Sequence, residues 1–214
     1  MTRIAILGTG PVGAALGARL AAAGHAIVFG SREPEGAKVR ALLARIPGAE
    51  AAAPAAAAAG AEAAILALPW DAVETALPPL AGALAGKPLL DATNPLRRAA
   101  DGPHLALGFD ASGGERVQAL APGAKVVKAF NTTGFGAMEA PEFEGRPSVM
   151  FYCGDDAGAC ETARALIADV GFEAVHAGPL SAARLTEAHA MLWIHLAYRG
   201  GMGRDWAFAL LRRG

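Results

Sequence analysis

Cysteine is nearly absent from this chain: Cys153 and Cys160 are the only two in 214 residues. Their spacing matches no metal or redox motif, and two thiols are too few for a disulfide framework. Both are therefore expected as buried thiols in a reducing cytoplasm. An excess of either charge is also missing. With 19 Lys and Arg against 20 Asp and Glu, there is no basic field to gather nucleic acid or an anionic membrane surface. Nor does any apolar run read as a membrane span. "AAAPAAAAAGAEAAILALPW" is long enough, yet Pro54, Gly60 and Glu62 divide it into a short alanine-rich helix, a turn and a strand. Gly8, Gly10, Gly13 and Arg19 interrupt the amino end in the same way and argue against a signal peptide. No metal cluster is apparent. What remains is 53% hydrophobic, enough for one large domain or a domain with an appendage.

Apolar periodicity sets the order of elements. "RIAIL", Arg3 to Leu7, is continuously apolar after its first residue, as in a strand covered on both faces of a parallel sheet. From Pro11 the pattern becomes helical through Val12, Leu16 and Leu20, with Gly24 as the stop. Further strands are expected at Ala26–Gly30, Ala63–Leu68, Pro88–Ala92, Lys125–Ala129, Ser148–Tyr152 and Phe172–His176. Helices are expected at about Gly36–Ile46, from Trp70, within Gly154–Gly171 and over Ser181–Arg199, with a short last one from Arg204 to Leu211. This alternation predicts an α/β, Rossmann-like, doubly wound and mostly parallel sheet with a small helical C-terminal extension. Residues 1–178 form the expected dinucleotide-binding domain. Residues 179–214 form the extension, whose helix is apolar on more than one side and needs cover from the domain, a bound ligand or a second subunit, a homodimer contact being the preferred reading.

"GTGPVG" fits G-x-G-x-x-G directly after a strand and at the start of a helix. Gly8 permits the tight turn, Gly10 lets the backbone approach a pyrophosphate, and Gly13 allows close helix–strand packing, with Thr9, Pro11 and Val12 between them. About 20 residues further on, a carboxylate would mark NAD, whereas a 2′-phosphate calls for cations and hydroxyls. "IVFGSREPEGAK" supplies Ser31 and Arg32 at that point and Lys38 just beyond, so NADP(H) is the expected cofactor. Glu33 or Glu35 leaves NAD as the alternative.

Ligands of an open α/β sheet sit outside the carboxyl ends of its strands. That places Leu68-Pro69-Trp70, Asn94 and Asn131-Thr132-Thr133 around the nicotinamide, with Asn94, Asn131 and Thr132 as candidates to orient the carboxamide or a second substrate. Asn94 followed by Pro95 also reads as turn chemistry. No acid–base couple is obvious at these loops, and His189 and His195 lie on different faces of their helix. Hydride exchange with another redox cofactor, which needs only stacking and orientation, therefore fits best. A small-substrate dehydrogenase or a non-catalytic NADP-binding sensor are the other readings.

Five motifs in order, "GTGPVGAALGARLAAAGHAIVFGSRE", "LALPW", "CGDD", "AGPLSAARLTEAHAMLW" and "GGMGRDWAFALL", resemble the NADPH-dependent reductases of the deazaflavin coenzyme F-420 over nearly the full chain. The resemblance implies a Rossmann domain, direct hydride passage between nicotinamide C4 and deazaflavin C5, and phosphate binding by Thr9, Ser31, Arg32 and Lys38. It also implies that Leu68, Pro69, Trp70 and the Gly201-Met202-Gly203 segment lie near the stacked rings. "VVKAFNTTG", Val126 to Gly134, is more similar to the cytoplasmic NADPH domains of six-transmembrane metalloreductases, which pass hydride to a flavin. The implied second cofactor is thus coenzyme F-420 or FMN/FAD.

Overall fold

The computed structural model describes residues 1–100 and 102–213. Apart from β3 and α5, which were not expected, the first half alternates as read: β1 (Arg3–Leu7), α1 (Pro11–Ala22), β2 (Ala26–Gly30), α2 (Ala37–Leu43), β3 (Glu50–Ala52), α3 (Pro54–Ala59), β4 (Ala63–Leu66), α4 (Trp70–Ala76), α5 (Ala81–Leu84) and β5 (Pro88–Asp91). After it come β6 (Leu96–Ala99), β7 (Gly102–Leu105), α6 (Gly113–Leu120), β8 (Lys125–Lys128), α7 (Phe135–Glu139), β9 (Glu142–Phe143) and β10 (Arg146–Pro147). The chain continues through β11 (Val149–Gly154), α8 (Ala157–Val170), β12 (Glu173–His176) and α9 (Ala183–Tyr198).

The main sheet runs β12-β11-β8-β5-β4-β1-β2-β3. From β1 the chain winds outward to β2 and β3, then crosses back to β4, β5 and β8, so the strand order reverses between β1 and β4. All pairings are parallel except β11 with β8. That reversal makes a crevice at the carboxyl ends of β1 and β4, the place where such sheets take ligands. The sheet is apolar on both faces. Ile4, Ile6, Phe29 and Ile65 point to one helical layer, and Ala5, Leu7, Val28 and Leu66 to the other. Such side chains contribute about 1.5–3 kcal/mol each on full burial, which is why these strands read as unbroken apolar runs.

The structure departs from expectation in several further places. The short hairpins β6–β7 and β9–β10 and the helices α6 and α7 occupy stretches for which no element was expected. Strand β4 ends at Leu66, so Leu68 lies in the loop beyond it. The expected helix at Arg204–Leu211 does not form. Strand β11 meets β8 only at Cys153 and Gly154, and its free edge near Val149 takes an extended tail instead: Val149 N donates to Phe208 O at 2.9 Å. Trp206 stacks on Trp193 with ring centres 5.6 Å apart, and Trp193 Nε1 donates to Trp206 O. A helix would engage that carbonyl and the Phe208 carbonyl in its own ladder, so tertiary pairing overrides local propensity.

Candidate functional site

Two cavities meet over the glycine loop. One, of about 740 Å³, is lined by the glycine loop from Gly8 to Gly10, by Ser31, Arg32 and Lys38, and by Pro54 and Thr75 across from them. The other, of about 1170 Å³, is lined by Pro11, Val12, Trp70, Asn94, Asn131 and Trp193 among others. Gly10, Ala67, Leu68 and Pro69 belong to both walls, so one trough crosses the carboxyl ends of β1 and β4.

Each glycine of the motif has a distinct reason to be there. Gly8 has φ +131°, and a Cβ on it would stand 2.3 Å from the carbonyl oxygen of Ala67. A Cβ at Gly13 would stand 2.3 Å from Gly8 O, so α1 could not lie so close to the strand end. At Gly10 a Cβ would meet nothing within 4 Å. The space over Gly10 is therefore open, and the helix that starts there has neither a capping side chain nor an acidic residue in its first turn. Unsatisfied N–H groups facing open space at the positive end of a 12-residue helix are the environment a pyrophosphate requires.

At the far end of the smaller cavity, Ser31 Oγ accepts from Glu33 N at 3.2 Å and keeps its own O–H to donate. Arg32 and Lys38 are exposed and reach the same cavity, as does Glu33. The larger cavity carries the amide pair. Asn94 Nδ2 donates to Asn131 O at 2.9 Å, and Asn131 Nδ2 lies 3.3 Å from both Asn94 Oδ1 and Thr186 O. Asn131 Oδ1 and Thr133 Oγ1, both on residues of this wall, are buried and have no hydrogen-bond partner. Phe130, just before them, holds φ 61°. A bulky residue in that region costs about 1–3 kcal/mol, offset here by burial of its ring against Phe172, and the turn directs Asn131 toward the trough.

Behind this wall lies a charge cluster that sequence reasoning missed. Lys128 is fully buried. Its Nζ contacts Asp91 Oδ2 at 2.8 Å, Glu187 Oε1 at 2.9 Å and the Thr93 carbonyl at 2.7 Å. Asp91 Oδ1 accepts from Thr93 N and Oγ1, while Glu187 accepts from Gly113 N and Gly114 N at the start of α6. Burial works against the ammonium, but Asp91 and Glu187 together outweigh it, and the Lys128 pKa is raised. The cluster joins β5, β8, α6 and α9 directly beneath the Asn94 and Asn131 loops. A lysine at the end of the otherwise apolar run "KVVK" was its one available signal, because a charge in a buried strand requires partners.

Four expected residues are not brought to the trough. Thr132 is buried, with Oγ1 facing Met150 Sδ at 3.4 Å, and lines neither cavity. Met202 is exposed, and neither it nor Gly201 nor Gly203 is on either wall. Instead α9 supplies Ala190, Trp193, Ile194 and Tyr198 to the larger cavity. Among the described residues, no three His, Cys, Asp or Glu side chains gather as for a metal ion. No helix among them is long and apolar enough to cross a membrane.

Comparison with known proteins places this geometry. The family model described as NADP oxidoreductase, coenzyme F-420-dependent, matches residues 3–95. A crystal structure of a candidate F-420-dependent NADP reductase from Arthrobacter sp. FB24 is 33% identical, with a TM-score of 0.90, over 99% of this chain and 100% of that one. The chain belongs to the coenzyme F-420-dependent NADP oxidoreductase family. Other relatives of this oxidoreductase include a hypothetical protein from Sinorhizobium meliloti, 32% identical with a TM-score of 0.73 over 85% of this chain and 87% of that one. The metalloreductase STEAP3 of Rattus norvegicus is 32% identical over 187 residues, 87% of this chain and 36% of that protein. The chain thus spans about a third of the length of that curated relative.

Proposed function

We propose that this NADP-dependent oxidoreductase exchanges hydride between NADP(H), held along the trough, and a deazaflavin such as coenzyme F-420 or a flavin such as FMN or FAD in the larger cavity. The observation that carries this reading is the continuity of the two cavities over Gly10, Ala67, Leu68 and Pro69, with the larger one left open beside the amide pair. Residues 1–178 would hold the dinucleotide: the amino terminus of α1 the pyrophosphate, and Ser31, Arg32 and Lys38 the 2′-phosphate. Asn131 and Thr133 would orient the carboxamide through their unpartnered oxygens. Residues 179–214 would close the acceptor side through Trp193 and Ile194 of α9.

The chemistry supplied when both groups are bound is a hydride, one hydrogen with its electron pair, leaving nicotinamide C4 for C5 of a deazaflavin or N5 of a flavin, with a solvent proton completing the reduced acceptor. The chain's own part is to stack, orient and exclude water. Lys128 does not serve as the proton donor, because its carboxylate partners hold its proton. Two buried free thiols fit a reducing cytoplasm. Exposed Leu185 and Leu192 on α9 fit a homodimer, which sedimentation analysis would detect.

Anaerobic mixing with NADPH and, in turn, a deazaflavin, FMN and FAD tests the reading. The expected result is oxidation of NADPH in molar proportion to one acceptor reduced. Binding of NADPH without turnover by any acceptor would instead favour the sensor.

A further inference from the structure

Glu187 is buried on α9, lines neither cavity, and is held by three donors. Gly113 N donates to its Oε2 at 2.9 Å, Gly114 N to its Oε1 at 3.1 Å, and Lys128 Nζ lies 2.9 Å from Oε1. A carboxylate can accept from all three, whereas a glutamine amide would have to turn its NH2 toward one of them. From this carboxylate, contacts run to three parts of the wall of the larger cavity. Gly113 is packed so closely that a Cβ on it would stand 3.0 Å from Glu187 Oε1, 3.1 Å from Trp70 Cζ3 and 3.3 Å from Pro95 Cδ. Trp70 lines the cavity, and so does Asn94, the residue before Pro95. The third part is Asn131. Lys128 ends the strand that leads into it, and the carbonyl of Thr186, the residue before Glu187, accepts from Asn131 Nδ2 at 3.3 Å. With that nitrogen held, the unpartnered Oδ1 is what Asn131 has left for a ligand.

We propose that Glu187 is the positioning residue of the larger cavity: it fixes Trp70, the Asn94 loop and the Asn131 amide relative to one another, and so sets the alignment of the two rings between which hydride passes. The inference rests on the proposed function for what occupies the cavity, not for the contacts that shape it. Alignment governs rate, because a displacement of about 1 Å at reacting groups can cost about 100-fold. It has little hold on the affinity for the dinucleotide, whose phosphate contacts are assigned to α1 and to Ser31, Arg32 and Lys38, on the far side of the glycine loop.

Two variants disturb these contacts from opposite sides. Glu187→Gln sets an NH2 against a donor, and Gly113→Ala presses on Glu187, Trp70 and Pro95 with no change of charge. Stopped-flow single turnovers of NADPH with whichever of the deazaflavin, FMN and FAD is reduced should slow by about 10- to 100-fold in Glu187→Gln and by a smaller factor in Gly113→Ala. The Kd for NADPH should change little in either, and a loss confined to rate separates alignment from a general weakening of the fold. Glu115→Gln is the control. It breaks another link between α6 and α9, in which Arg184 Nη2 donates to Glu115 Oε1 at 2.6 Å, and neither of those residues lines the cavity. Its turnover should match that of the unaltered protein. Slowing in Glu115→Gln equal to that in Glu187→Gln, or an original rate in both Glu187→Gln and Gly113→Ala, would overturn the proposal; should Glu187→Gln fail to fold by circular dichroism, Gly113→Ala decides alone. If no acceptor is reduced, the proposed function fails, and the fluorescence anisotropy of bound NADPH decides the positioning by itself. A ring held against Asn131 keeps its emission polarised, so at equal occupancy the anisotropy should be lower in the two variants than in the unaltered protein and in Glu115→Gln. Equal anisotropy in all four overturns the proposal, and failure of the unaltered protein to bind NADPH overturns it together with the proposed function.

Discussion

Lys128 Nζ lies 2.8 Å from Asp91 Oδ2 in a place where neither side chain touches solvent. Glu187, from α9, completes the group at 2.9 Å. Replacing Lys128 by Met removes the cation and leaves two buried carboxylates facing each other. Breaking a buried pair by removing one partner costs about 3–5 kcal/mol, and chemical denaturation of Lys128→Met should show a loss of that order. The triple variant Lys128→Met, Asp91→Asn, Glu187→Gln should recover part of it, because no uncompensated charge then remains. A Lys128→Met protein as stable as the original would mean that the cluster is not closed as described.

The glycine loop makes a sharper distinction between folding and binding. Gly13→Ala would force a methyl to within 2.3 Å of Gly8 O and should destabilise the protein, by about 1–3 kcal/mol as for other overpacked sites. Gly10→Ala meets no protein atom within 4 Å, so its melting temperature should change little while NADPH binding weakens at least about tenfold. Thermal melts and fluorescence titration on the same two variants check both halves. Equal loss of stability in the two would contradict the assignment of the open space to the pyrophosphate.

The first half of the fold was legible because each signal in it is local. "RIAIL" is apolar at every position after Arg3 since both faces of β1 are covered, and Gly8 and Gly10 stand at the strand end they terminate. The alanine-rich stretch resolved correctly into α3, a turn and β4 because Pro54 and Gly60 act within a few residues. Distance in sequence hid the remainder. Asp91, Lys128 and Glu187 meet from three separate elements, and none of their local contexts names the others. The tail from Arg204 has an acceptable helical pattern and is drawn out by Val149 and Trp193, which precede it by many residues. Met202 lines neither cavity for the same reason: α9 itself, through Trp193 and Ile194, takes that wall of the larger one.

Selectivity for the phosphorylated dinucleotide should reside in Arg32. It is exposed and lines the smaller cavity with Ser31 and Lys38. A charged hydrogen bond contributes about 1.5–3 kcal/mol, so Arg32→Ala should weaken NADPH binding by about 10- to 150-fold. Exposure places the effect toward the lower figure. NADH, which lacks the 2′-phosphate, should bind both proteins alike in calorimetric titration. An equal change for both dinucleotides would assign Arg32 to adenine stacking instead.

His189 gives the protein a pH dependence with a definite sign. Its ring lies 4.1 Å from that of Phe208 and packs edge-on to Phe151, and its Nε2 is buried without a partner. Burial lowers its pKa below the ordinary 6.5. The unfolded chain therefore takes up a proton at this residue before the folded one does, and stability must fall as the pH drops below about 6.5 toward the lower folded value. Above that window the contribution is flat. Denaturation midpoints measured from about pH 7.5 down to about pH 5.5 should decline more steeply for the unaltered protein than for His189→Phe. The tail from Trp206 to Phe208 rests on this ring and should loosen first, which amide hydrogen exchange at Val149 would register. Parallel pH profiles for the two proteins would show that His189 is solvated, and that the tail does not cover it.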